Sequence, residues 1–357
     1  MEIHRASYEE IQSLLKDLQE DLLFTLMASD KELFHSNVIG RIFSKNARVK
    51  EEFFKKYSTK DELQEKSVVM REYKHIDLFL QHPGFNSLAI ENKLFSDLGD
   101  NQLDRYSESL KSLKSDWHGL ILTLKTLHMG HLSDVIRKKW KIITYGEFAN
   151  FLRDQIDSIV GDEFEKQFIF RYIKLIQRLD QLTSLLVPSL NDTRLELSED
   201  VSGNIQTSIN KMRYRLIAEE IRIACHRNLG SADFKVGYGI SHSRPFLEVE
   251  FKLKDGNNLG WQYQEGQFRL FARCNNLTGK GKHDARTKFA LLNYPDWFDF
   301  GGLSLFSTSD FLIRPADPLK LLKFDPNFVY KYAKTSELSM GDLIDISKIL
   351  SVRAEHR

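Results

Sequence analysis

Three charged side chains stand inside runs that otherwise read as buried β-strand, and they constrain the fold more than any other feature. Asp77 lies within Ile76-Asp77-Leu78-Phe79-Leu80. Glu91 and Lys93 lie within Leu88-Ala89-Ile90-Glu91-Asn92-Lys93-Leu94-Phe95. Strand side chains alternate between faces, so Glu91 and Lys93 point the same way. A lone Glu-x-Lys is usually a solvated strand face. Charges flanked by apolar residues are costly to bury unless they are paired or bind metal. If the two strands pair, two carboxylates and an ammonium meet at one place. His82-Pro83-Gly84-Phe85-Asn86 supplies the turn chemistry between them.

The surrounding periodicity predicts an α/β core. Ile3 to Met27 reads as one amphipathic helix. Ser29-x-x-Glu32 has capping-box spacing and opens a helix to about Phe43. The charged segment Lys50 to Lys66 reads as an exposed helix. Strands follow at Ser67–Tyr73, His75–Leu80 and Leu88–Leu94, then a helix at Asp100–Ser112. Gly119–Leu127 and Lys141–Thr144 read as further strands, and Thr144-x-x-Glu147 caps the next helix. Helices are expected at Glu163–Leu186 and Ile205–Arg227, with a polar break at 188–204. Beyond Gly230 four strands are expected, from Phe234 to Cys274, with a closing helix from Met340 to Val352.

A chain of 357 residues exceeds the usual size of one core, so two domains are the first expectation. The net charge of +1 neither requires nor excludes nucleic acid, because a basic groove can be offset elsewhere. Cys225 and Cys274 show no metal spacing, which points to a reducing cytoplasm rather than a disulfide framework. No secretory leader and no membrane span is expected, so the partner is not a membrane.

The segment 71–106, REYKHIDLFLQHPGFNSLAIENKLFSDLGDNQLDRY, resembles the active site of the PD-(D/E)XK nuclease superfamily. There an Asp and a Glu on adjacent strands hold Mg²⁺, and a Lys follows two residues after the Glu. Ile76 stands where the superfamily's name has Pro. The segment is similar to a prokaryotic and phage branch with an early Glu-x-x-His-Ser and a later Gln-x-x-x-Tyr. Glu32-Leu33-Phe34-His35-Ser36 and Gln102-x-x-x-Tyr106 match both. Gln102 and Tyr106 share one helix face. Taken alone, that spacing carries little information.

The texture of the chain gives a connecting helical region at 161–228 and a β-rich C-terminal domain at 229–357. The resemblance covers roughly 22–155 and implies a restriction-endonuclease-like core, a mixed β-sheet flanked by helices, within a nuclease-like domain at 1–160. It implies Asp77, Glu91 and the Asn92 carbonyl as Mg²⁺ ligands, with Mn²⁺ able to substitute, and Glu32 approaching the metal. Lys93 would be catalytic, and His35, Ser36, Gln102 and Tyr106 would face substrate, DNA rather than RNA. His35 also reads as a helix histidine packed on Phe34, and Tyr106 as a core residue against Leu103 and Leu110. The alternative is a catalytically silent nucleic-acid-binding or partner-regulated module of the same fold. A homo-oligomer is compatible with the sequence.

Competing motifs are weaker. Glu250 and Lys252, with Asp233 upstream, form a second Glu-x-Lys, but it lacks the following Gln-x-x-x-Tyr. His118, His128 and His131 have no cysteine and only Asp134 near them. Lys280, Lys282, His283, Arg286 and Lys288 form a local basic cluster. Trp261, Tyr263, Phe268, Arg269, Phe271 and Arg273 read either as a stacking surface or as a two-sided β core.

Overall fold

The computed structural model describes residues 8–29, 31–62, 64–94, 98, 101–113, 116–124, 134–187, 190–191, 195, 203–228, 233–241, 244–264, 266–279, 281–300, 303, 322–323, 327–334 and 338–355. Within them the chain divides into two units, Met1–Leu185 and Leu186–Arg357.

The first unit opens with α1 (Tyr8–Gln19), α2 (Leu22–Ser29), α3 (Lys31–Lys45) and α4 (Ala47–Tyr57). The long first helix expected from the sequence is broken. The Asp21 carboxylate accepts the Leu23 N–H at 2.9 Å and starts a new helix in the middle of the apolar pattern. Ser29 ends α2, and α3 begins at Lys31. The helix expected over 50–66 stops at Tyr57. Beyond it β1 (Lys60–Asp61) pairs with β4 (Gly84–Phe85).

The main sheet is built from β2 (Val68–Tyr73), β3 (Ile76–Gln81), β5 (Ser87–Lys93), β6 (Trp117–Thr123) and β7 (Trp140–Thr144), in that order. The β2, β3 and β5 strands form the expected antiparallel meander, while β5, β6 and β7 run parallel. Parallel neighbours need crossovers. Helices α5 (Gln102–Leu110) and α6 (Asp134–Lys139) lie in those crossovers, and α7 (Tyr145–Asp154) and α8 (Glu163–Leu185) follow. Every residue of β5 is buried, as expected for the central strand of a sheet covered on both faces. One face carries Phe79, Ala89, Ile121 and Trp140 packed on Leu103, Tyr106 and Leu110 of α5. On the other face α3 packs against β2, β3 and β5. The Thr144 capping box is present in full: Thr144 Oγ1 accepts the Glu147 N–H at 3.0 Å, and Glu147 Oε2 accepts the Thr144 N–H at 2.7 Å.

Gly119 is fixed by this sheet. A Cβ there would lie 2.2 Å from the Trp140 ring, which crosses it from the paired strand. Gly119→Ala must displace a buried indole. A loss of about 1–3 kcal/mol is expected in denaturant unfolding, as for overpacked cores. An unchanged midpoint would contradict this packing.

The second unit has α9 (Gly203–Asn228), β8 (Phe234–Ser241), β9 (Arg244–Lys252), β10 (Asn258–Gln264), β11 (Gln267–Arg273), α10 (His283–Asn293), β12 (Leu322–Lys323), β13 (Phe328–Lys334) and α11 (Met340–Glu355). Its antiparallel sheet has the order β12-β13-β11-β10-β9-β8. Tyr214, Ile217 and Ile221 of α9 and Leu343, Ile346 and Leu350 of α11 join Val249, Trp261 and Phe268 in one core. Trp261, Tyr263 and Phe268 lie in this core, and Phe271 is buried on the opposite face beside Arg269 and Gln262, so these rings do not form an open stacking surface. Of the expected helical region 161–228, α8 falls in the first unit and α9 in the second. Both cysteines are buried and free. Among the described residues no helix is long and apolar enough to cross a membrane.

Candidate active site

Sheet register brings the three charged residues together. The β3–β5 pairing matches Leu78 with Ile90 and Phe79 with Ala89. One step further sets Asp77 opposite Glu91, at the end of the antiparallel ladder. There the Asn92 N–H donates to Asp77 Oδ2 at 2.7 Å. Glu91 and Lys93 are only 3% and 7% exposed, and Lys93 Nζ lies 2.9 Å from Glu91 Oε1. Their shared face is the one that α5 covers. Gln102, in the first turn of α5, donates from Nε2 to Glu91 Oε1 at 2.7 Å and to the Tyr106 hydroxyl oxygen at 2.6 Å. The Tyr106 ring belongs to the apolar cluster with Leu103 and Leu110, while its hydroxyl reaches the site. The core and site readings of Tyr106 therefore describe two ends of one side chain. Ser96, Asp97 and Gly99 of the intervening loop lie outside the described residues.

The electrostatics are those of crowded, desolvated carboxylates. Burial pushes Asp77 up to about 7, and the neighbouring Glu91 adds to the shift, against the Asn92 N–H and Lys93. Burial also raises Glu91, opposed mainly by Lys93. Glu32 lies close enough for its charge to raise both. Burial and Glu91 raise Tyr106 to about 12, so it remains a neutral phenol.

These shifts fix a pH dependence. An unfolded Asp ionises near 4, whereas folded Asp77 holds its proton to about 7. The unfolded chain loses the proton first, so stability falls as pH rises from about 4 to about 7, and the penalty is complete above that. The melting temperature of metal-free protein should drop across this window, and Mg²⁺ should raise it most at the alkaline end. A melting curve flat from pH 4 to 8, in the absence of metal, would contradict the buried pair.

His35 and Ser36 are placed differently from the expectation that they face substrate. His35 is 0% exposed, with Nδ1 2.9 Å from the Tyr172 hydroxyl and its ring among Phe34, Tyr145 and Tyr172. Burial drives its pKa down to about 3, so the ring is neutral, and its Nε2 is buried without a hydrogen-bond partner. Ser36 is buried beneath β5, where it donates to the Glu32 carbonyl at 2.9 Å and accepts from Asn92 Nδ2 at 2.6 Å. Helical periodicity alone did not tell which way this face turned. Tyr145 and Tyr172, which complete the surroundings, carried no sequence signal.

The donor set suits a hard divalent cation. Asp77, Glu91 and a strand carbonyl offer oxygen only, and Glu91 Oε2 is buried without a hydrogen-bond partner. Among the described residues no group of three or more His, Cys, Asp or Glu side chains is gathered closely enough to hold a metal. Mg²⁺ needs no such group, because it keeps several waters and takes one or two carboxylates.

Among the described residues the competing motifs do not assemble a site. Glu250 is held by Arg273 at 2.8 Å, while Lys252 is exposed 4.0 Å from Asp233. His118 Nε2 lies 2.8 Å from Thr59 Oγ1, and His128 and His131 lie outside the described residues. Arg286 is buried and donates to the Leu277 and Gly279 carbonyls, and Lys280 lies outside the described residues.

Residues 20–174 match the model of the PD-(D/E)XK nuclease superfamily. No curated protein and no solved structure matches the chain. The matched segment spans Glu32, Asp77, Glu91, Lys93, Gln102 and Tyr106.

Proposed function

We propose, from the match of residues 20–174 to the model of the PD-(D/E)XK nuclease superfamily, that the first unit is a Mg²⁺-dependent deoxyribonuclease with Asp77, Glu91 and Lys93 as its catalytic core. The observation that carries this reading is the convergence on β5. Two carboxylates with raised pKa values, one with an unpartnered buried oxygen, meet an ammonium and the Gln102–Tyr106 pair.

Asp77, Glu91 and the Asn92 carbonyl would hold the ion, with Glu32 approaching through water. When bound, the ion supplies Lewis acidity at the phosphate and lowers the pKa of a coordinated water. Lys93 keeps donors free beyond its contact with Glu91, since an ammonium has three. It orients the attacking water or stabilises the charge developing on phosphorus. Gln102 holds Glu91 Oε1 and offers its amide to a neighbouring phosphate without adding charge. DNA is the proposed substrate and the bacterial or phage cytoplasm the proposed setting, with the second unit in substrate contact, oligomer contact or control. Circular, linear and single-stranded DNA and RNA should be incubated with Mg²⁺ and resolved side by side. Cleavage of at least one DNA form is expected. Cleavage of RNA alone would overturn the substrate, and cleavage of nothing would favour a silent binding module.

A further inference from the structure

The middle residue of Glu91-Asn92-Lys93 faces away from the site. Its side chain is 0% exposed, on the α3 face of the sheet. A buried amide needs partners for both its donor and its acceptor. Here Nδ2 donates to Ser36 Oγ at 2.6 Å, and Oδ1 accepts from the Tyr145 hydroxyl at 3.5 Å. The Asn92 backbone N–H is the group that holds Asp77 Oδ2. Ser36 in turn donates to the carbonyl of Glu32, one helical turn back. One residue thus ties together β3, β5, α3 and the start of α7. Behind Tyr145 stands the His35 ring, at 4.9 Å between centroids, and His35 is itself bound to Tyr172.

We propose that Ser36 and Tyr145 are positioning residues that act through Asn92, setting the rotation of β5 that aims Glu91 and Lys93 and fixing Asp77 and the Glu32 helix against it. The two sides of the strand do different work. Glu91 and Lys93 face the chemistry, while Asn92 takes its alignment from two helices on the far side. An apolar residue at position 92 would fill the space but leave the Ser36 and Tyr145 hydroxyls without this partner. The role in catalysis rests on the nuclease reading, whereas the clamp itself does not.

The first readout therefore needs neither metal nor substrate. Hydrogen–deuterium exchange in the metal-free full chain, resolved to single amides, follows the Asn92 N–H with that of Leu88 on the same strand as reference. Ser36→Ala should speed exchange at Asn92 at least tenfold and Tyr145→Phe at least threefold, with Leu88 unchanged. Ser36→Thr, which keeps the hydroxyl, should restore protection. Asn92 and Leu88 accelerating together would mean simple destabilisation and overturn the proposal, as would no change at Asn92. Tyr145→Phe removes a single oxygen and keeps the test open if Ser36→Ala does not fold. Mn²⁺ titration by calorimetry is the second readout. The Ser36→Ala variant should bind at least fivefold more weakly than wild type, and affinity within twofold would overturn the proposed effect on the site. A wild type that takes up no Mn²⁺ would sink the metal-site reading, and the exchange result would still decide the clamp.

Discussion

Asp77→Asn is expected to lower DNA cleavage at least a thousandfold, about 4 kcal/mol of transition-state stabilisation, while making the metal-free protein more stable above pH 7. The two effects have one cause. Asparagine keeps an oxygen to accept the Asn92 N–H, so the local geometry survives. It removes a carboxylate that burial and Glu91 disfavour in the charged form. The gain should be on the order of 2 kcal/mol at pH 8 and should vanish near pH 4, where Asp77 is already neutral. Glu91→Gln should lose activity equally but without the stabilisation, because it strips buried Lys93 of its counter-charge. Thermal melts of both variants at pH 4 and pH 8, beside a cleavage assay, separate these outcomes. Stabilisation by Glu91→Gln as large as by Asp77→Asn would contradict the Lys93 pairing.

Tyr106 should divide its effects between stability and activity according to which end is changed. Tyr106→Ala empties a site in the cluster with Leu103, Leu110 and Trp140, and should cost about 3–5 kcal/mol in denaturant unfolding. Tyr106→Phe keeps the ring and removes the hydroxyl that accepts from Gln102. It should cost about 1 kcal/mol of stability. Cleavage should fall about tenfold, since both Gln102 and Glu91 lose a contact with that hydroxyl. Full activity in Tyr106→Phe would reduce the residue to packing alone. A loss of Mg²⁺ affinity in the same variant would place the hydroxyl nearer the metal than proposed.

The convergence at the centre of the candidate site was legible because charge inside an apolar strand is a costly exception. Asp77, Glu91 and Lys93 could be picked out without knowing the register, and the meander that joins them followed from strand periodicity and one turn. Thr144 and Glu147 were legible for a local reason, since a capping box needs only four residues. What failed was either ambiguous or non-local. Asp21 sits within an unbroken apolar pattern, and only its bond to the Leu23 N–H reveals a helix start. Ser29 and Glu32 have capping spacing, yet the first ends a helix and the second has its charge felt at the site. The inward turn of His35 depends on Tyr172, 137 residues away. In the second unit, Phe328–Lys334 alternates as a strand should, but its partner β11 lies far upstream.

The most direct test of the account is cleavage of linear and circular DNA by wild type and Glu91→Ala, prepared identically, with Mg²⁺ and again after EDTA. Wild type should cleave with Mg²⁺ and stop with EDTA, and Glu91→Ala, folded by circular dichroism, should cleave in neither condition. Cleavage by Glu91→Ala at the wild-type rate, or wild-type cleavage that survives EDTA, would contradict a metal-dependent site built on β5.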